Sequence, residues 1–113
     1  MNIETVREYC LSKLNVEETL PFGPDVIVFK VSGKMFLLLP LNTDLLQFNV
    51  KCDPDLAIEL RERYSCVQPG YHMNKQHWNT VVVDSTVSSK ILKEWIDDSY
   101  NLIVSSLPKK KKN

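Results

Sequence analysis

Val26-Ile27-Val28-Phe29-Lys30-Val31-Ser32-Gly33-Lys34-Met35-Phe36-Leu37-Leu38-Leu39 decides the fold. Two runs of β-branched, aromatic and aliphatic residues flank Ser32-Gly33, the signal of a two-residue hairpin turn. With that turn, alternation puts Ile27, Phe29, Val31, Phe36 and Leu38 on one face and Val26, Val28, Lys30, Met35, Leu37 and Leu39 on the other. Both faces are apolar. An antiparallel sheet with one wet side alternates more cleanly, so the second face is expected to lie partly under a helix, a long loop or another subunit.

Downstream of the hairpin, Leu46 to Lys51 reads as a third strand, with Leu46, Phe48 and Val50 pointing one way and Gln47, Asn49 and Lys51 the other. Asp53-Pro54-Asp55 then starts a helix. Aspartate suits the N-cap, proline at the first helical position loses no hydrogen bond, and the second aspartate sits at the positive end of the dipole. The helix should run to Tyr64, burying Leu56, Ala57, Leu60 and Tyr64 and exposing the i,i+4 pair Glu59 and Arg63. Upstream, Asn2 caps a first helix whose stripe is Ile3, Val6, Cys10 and Leu14, ending near Asn15. Pro21-Phe22-Gly23-Pro24-Asp25 excludes regular structure and links that helix to the sheet, with Phe22 expected to plug the core.

The densest stretch of unusual residues is Cys66 to Val81, which holds both histidines, Pro69-Gly70 and Trp78. Pro69-Gly70 suits a type II turn, with glycine at positive φ. His77 to Val83 favours a strand ending at Asp84-Ser85. In that strand Trp78, Thr80 and Val82 share one face, with Trp78 read as core, while His77 and Asn79 share the other with Val81 and Val83. A last helix begins at Ser88, with Val87 packing on Leu92, an inner face of Ile91, Leu92, Trp95, Ile96, Leu102 and Ile103, and Pro108 as its stop.

The chain has 113 residues, enough for one domain with a core that needs neither metal nor disulfide. The expected division is a single domain over 1–108 and a basic tail over 109–113. Cys10, Cys52 and Cys66 cannot all pair, match no zinc spacing and come without a secretory segment, so a reducing cytoplasm is expected. No apolar run approaches the length of a membrane span. Fourteen basic residues balance fourteen acidic ones, but four are Lys109 to Lys112. Without them ten face fourteen, a net of −4, and such a body attracts phosphate poorly unless a local patch or the tail does so.

Pro21-Phe22-Gly23, Gly33-Lys34-Met35-Phe36, Lys51-Cys52-Asp53-Pro54, Pro69-Gly70-Tyr71-His72-Met73-Asn74-Lys75, His77-Trp78-Asn79-Thr80-Val81, Asp98-Ser99-Tyr100 and Leu107-Pro108-Lys109-Lys110 together resemble the MmcQ/YjbR family of small bacterial proteins. The resemblance runs from the first helix to the tail. It implies a CyaY-like α+β two-layer sandwich, an antiparallel sheet packed by helices in the order α-β-β-β-α-β(β)-α, and the family's label of DNA-binding protein.

His72 and His77 lie five apart, on opposite faces of a strand, which speaks against a metal site; neither metal nor cofactor is expected. Cys66 with a histidine, oriented by Asp84, is the one candidate nucleophile, yet a small buried cysteine is the commoner case. No phosphate loop, dinucleotide fingerprint or hydrolase elbow is present, so the chain reads as non-enzymatic and without a small-molecule substrate. The expected site is a polar, partly basic patch of Lys51, His72, Lys75, His77 and Asn79, joined by Lys109, Lys110, Lys111 and Lys112 for weak, largely sequence-nonspecific contacts with DNA phosphates. The alternative is a protein-binding adaptor or chaperone-like module that uses the apolar second face of the sheet for a partner or a second copy.

Overall fold

The structure, a computed structural model, describes residues 1–70 and 73–108. In chain order the elements are α1 (Ile3–Leu11), β1 (Val16–Thr19), β2 (Val26–Val31), β3 (Lys34–Pro40), β4 (Gln47–Lys51), α2 (Pro54–Arg63), β5 (Val67–Pro69), β6 (Trp78–Val82) and α3 (Ser89–Ser105). The strands form one six-stranded antiparallel sheet, β1-β2-β3-β4-β6-β5. All three helices contribute to the main core on one face: Val6 and Cys10, Ala57 and Leu60, then Leu92, Trp95, Ile96 and Ile103. This is the α+β sandwich expected. Among the described residues no helix is long and apolar enough to cross a membrane.

Local signals act as expected at several ends. Asn2 accepts from the Thr5 amide at 2.8 Å, Asp53 caps Pro54–Arg63, and Ser88 caps the last helix. Glu59 and Arg63 meet at 3.6 Å, both exposed. Ser32 and Gly33 both take positive φ, the mirror-image turn that matches strand twist.

Other expectations are corrected. Val16–Thr19 is an additional strand, paired with Val28 to Val31, between the first helix and the Pro21–Asp25 link. The first helix stops at Leu11, so Leu14 lies 75% exposed beside left-handed Asn15 rather than in the buried stripe. Phe22 does not plug the core and is 64% exposed. Gly70 has no positive φ: Pro69 continues the ladder opposite Asn79, and a Cβ on Gly70 would lie 2.8 Å from that of Trp78. Glycine stands there because the indole strand packs against its backbone.

The hairpin itself contains a bulge. Phe29 pairs with Leu37 and Lys30 with Met35, leaving Phe36 as the extra residue. The faces of Leu37, Leu38 and Leu39 are therefore swapped relative to simple alternation: Phe36, Leu37 and Leu39 enter the helix-side core, and Leu38 joins Val28 and Trp78 on the opposite side. The registered β3–β4 pairing is Leu37–Val50 and Leu38–Asn49. Beyond it, Ser99 of α3, fully buried, takes over: its hydroxyl donates to the Phe36 carbonyl at 2.5 Å and accepts from the Lys51 amide at 2.8 Å. One helical serine thus satisfies two backbone groups that the bulge separates. Its neighbour Tyr100 stacks edge-on against Phe36 and donates to the Leu14 carbonyl.

Candidate functional site

Strand register fixes what the helix-free face presents. Thr19, Val28, Leu38, Asn49, Thr80 and Gln68 form one row across the sheet, and Lys51 sits opposite Trp78. Val28, Leu38 and Trp78 are buried there, with Val26, Met35 and Met73 packed against them. No helix covers them. Beside this floor is a groove of about 360 Å³ lined by Phe22, Val26, Met35, Leu38, Pro40, Gln47, Asn49 and Met73. The apolar second face thus has its partial cover, a loop carrying Met73, and keeps an opening next to it.

That loop is anchored from the far side of the sheet. Arg61, in the last turn of α2, donates through Nε to the Asn79 side-chain oxygen at 2.7 Å and through Nη2 to the carbonyls of Lys75 and, at 3.3 Å, Trp78. The Cys52 amide donates to the His77 carbonyl at 2.7 Å, and the Trp78 amide to Asn74 at 3.0 Å. Arg61 was missed in the sequence. Its signal was its place four residues after buried Ala57, where a helix turns inward.

The expected basic patch does not assemble as one unit. Asn79 is 1% exposed on the helix side, held by Arg61, and cannot share a surface with Lys51. Lys51 points to Trp78's face because register pairs the two, and Lys75 lies exposed in the turn before β6. His77 is half-buried at the entry to that strand. His72 and Lys109 to Lys112 lie outside the described residues. Trp78 is buried as expected, at 8% exposure, but in the small cluster away from the helices.

Charge divides between the layers. The helices carry eight carboxylates (Glu4, Glu8, Asp55, Glu59, Glu62, Glu94, Asp97 and Asp98) against five bases. On the strands' helix-free face, Glu17 is the sole acid, set opposite Lys30, and Lys51 is the second base. The ion pairs of Arg7, Lys13 and Arg63 all lie on the helix side or its ends. Lys30 and Lys51 have no ion-pair partner among the described residues.

The cysteines are poorly placed as nucleophiles. Burial pushes the Cys10 thiol up to about 12, and burial with the Asp98 and Asp53 carboxylates pushes Cys52 up to about 11, so both are thiols at neutral pH. Cys66 is buried in the main core. Among the described residues no group of three or more His, Cys, Asp or Glu side chains is arranged to hold a metal ion.

The protein YbdF of Escherichia coli O157:H7 is 38% identical over 107 residues, covering 95% of this chain and 88% of its own. YjbR of Escherichia coli K12 is 30% identical over 112 residues, covering 99% and 95%. Among solved structures, Deinococcus radiodurans DR2400, with the domain DUF419, superposes with a TM-score of 0.88 at 34% identity, over 93% of this chain and 80% of that one. A Pseudomonas syringae protein superposes at 0.78 and 30% identity, over 90% and 98%. The YjbR family model matches residues 11–102, and the chain belongs to that family.

Proposed function

We propose that the chain is a non-enzymatic nucleic-acid-binding module that meets DNA with the helix-free face of its sheet. The supporting observation is the division of charge. The acidic excess of the whole body sits mainly on the helices, whereas Lys30 and Lys51 stand on the open face without ion-pair partners among the described residues. A weakly positive surface of this kind suits modest, salt-dependent contacts with phosphates and little base discrimination. Lys75 in the turn before β6 and the four tail lysines would add to it.

Titration of a labelled duplex at two salt concentrations tests the reading. Replacing Lys30 and Lys51 by glutamine should each flatten the log K against log salt slope by up to about 0.9, the value for one duplex phosphate contact. Absence of salt-dependent binding, or indifference to both substitutions, would overturn it.

The groove favours a second reading, a protein-binding adaptor in which an apolar segment of a partner, or the same face of a second copy, covers Val26, Met35 and Leu38. That reading takes first place if the chain dimerises at micromolar concentration, as read by sedimentation, and Met35→Glu abolishes the dimer while no nucleic acid binds.

A further inference from the structure

We infer that the groove receives an unpaired nucleobase, which makes the preferred ligand single-stranded rather than duplex DNA. The inference rests on the nucleic-acid reading and specifies its ligand. The groove's volume, about 360 Å³, falls within the range of small-ligand sites, and its lining mixes apolar walls with a few polar groups. Phe22 stands at its edge 64% exposed, an aromatic ring that the fold itself leaves uncovered. Met35 and Met73 bring polarizable thioethers, which make favourable contacts with aromatic faces. Gln47 brings an amide with donor and acceptor atoms to the same walls, and Asn49, whose oxygen accepts from the Thr80 hydroxyl at 2.5 Å, adds its amide donors.

Two cations stand at the Met35 end of the groove to hold the strand that carries such a base. Lys30 is paired directly with Met35, and Lys51 is two residues from Asn49 on the same face. Both lysines thus lie in the row of Met35, at one end of the groove, where phosphates of the strand leaving the inserted base would meet them. A duplex lacks the key element. Its bases are stacked and paired, so its phosphates could touch the lysines while Phe22 and the groove stayed empty. Flat aromatic contact with splayed bases, combined with a cationic track, is the general physics of sequence-tolerant single-strand recognition.

The test compares a labelled twelve-residue oligothymidylate with a duplex of the same length at low salt, using the full chain. Tighter binding of the single strand is expected. Phe22→Ala should weaken that binding roughly 5- to 100-fold, the range for losing one base stack, and leave the salt slope unchanged. Phe22→Tyr should retain it. Because Phe22 is largely exposed, both variants should melt as the parent does, which separates binding from folding. Equal affinity for strand and duplex, or indifference to Phe22→Ala, would overturn the inference and leave phosphate binding standing. Loss of salt-dependent binding to both probes in the parent chain would overturn the nucleic-acid reading as well.

Discussion

Replacing Arg61 by alanine should destabilise the domain by about 2 to 3 kcal/mol, chiefly by stranding one buried atom. The Asn79 side-chain oxygen accepts from Arg61 Nε at 2.7 Å, and Asn79 is 1% exposed. Removing a charged donor from a buried acceptor costs about 1 to 3 kcal/mol, because the acceptor's desolvation remains without its bond. The Trp78 carbonyl, at 3.3 Å, adds a smaller amount, and the Lys75 carbonyl lies in an exposed turn where water replaces the guanidinium. Urea unfolding followed by circular dichroism gives the stability. A double-mutant cycle with Asn79→Ala then isolates the pair, for which a coupling of about 1 to 3 kcal/mol is expected. A loss below about 0.5 kcal/mol, or additivity of the two substitutions, would refute the claim that Arg61 anchors the loop from behind the sheet.

Three further outcomes follow from the same geometry. Trp78→Ala should cost about 3 kcal/mol, the low end for a large buried aromatic because its cluster is small; near-normal stability in urea would show that the indole supports nothing. Ser99→Ala should cost about 1 to 3 kcal/mol by orphaning the Phe36 carbonyl and the Lys51 amide, and hydrogen exchange at the Lys51 amide should accelerate; unchanged protection there would refute the bridge. Burial and the nearby Asp97 and Glu94 carboxylates raise the Asp98 pKa above its ordinary value, so folding opposes its ionisation. That penalty is present above the folded pKa and vanishes below the unfolded one, near 3.9. Asp98→Asn should therefore raise the melting temperature at pH 7 and have no effect at pH 3; an equal effect at both would contradict it.

What the sequence disclosed, and what it hid, follows from how local each signal is. The helix from Pro54 was legible because its cap, its first-turn proline and its apolar stripe lie within a few residues of one another. The hairpin was legible for the same reason. The swap of Leu37, Leu38 and Leu39 was not, because a bulge depends on how Ser99, far along the chain, satisfies the backbone at Phe36. Val16–Thr19 was not legible as a strand: register turns Glu18 to the helix side, where Arg7 of another element meets it at 2.9 Å, and Glu17 to the open face opposite Lys30. The placement of the expected patch residues was half visible. Alternation placed Lys51 and Asn49 on the same face, yet Asn79 was assigned to a surface patch because nothing in its neighbourhood shows that Arg61 reaches it from another element. Phe22 was read as a core plug, and its exposure became evident only with the groove beside it.

Amide chemical shifts, followed residue by residue as unlabelled oligothymidylate is added to the isotopically labelled chain at low salt, test the central claim most directly. The claim predicts that the largest changes fall on Phe22, Lys30, Met35, Asn49, Lys51 and Met73, with Ile3–Leu11 and Ser89–Ser105 left nearly still. Changes concentrated on the helices, or none at all at millimolar oligonucleotide, would contradict it.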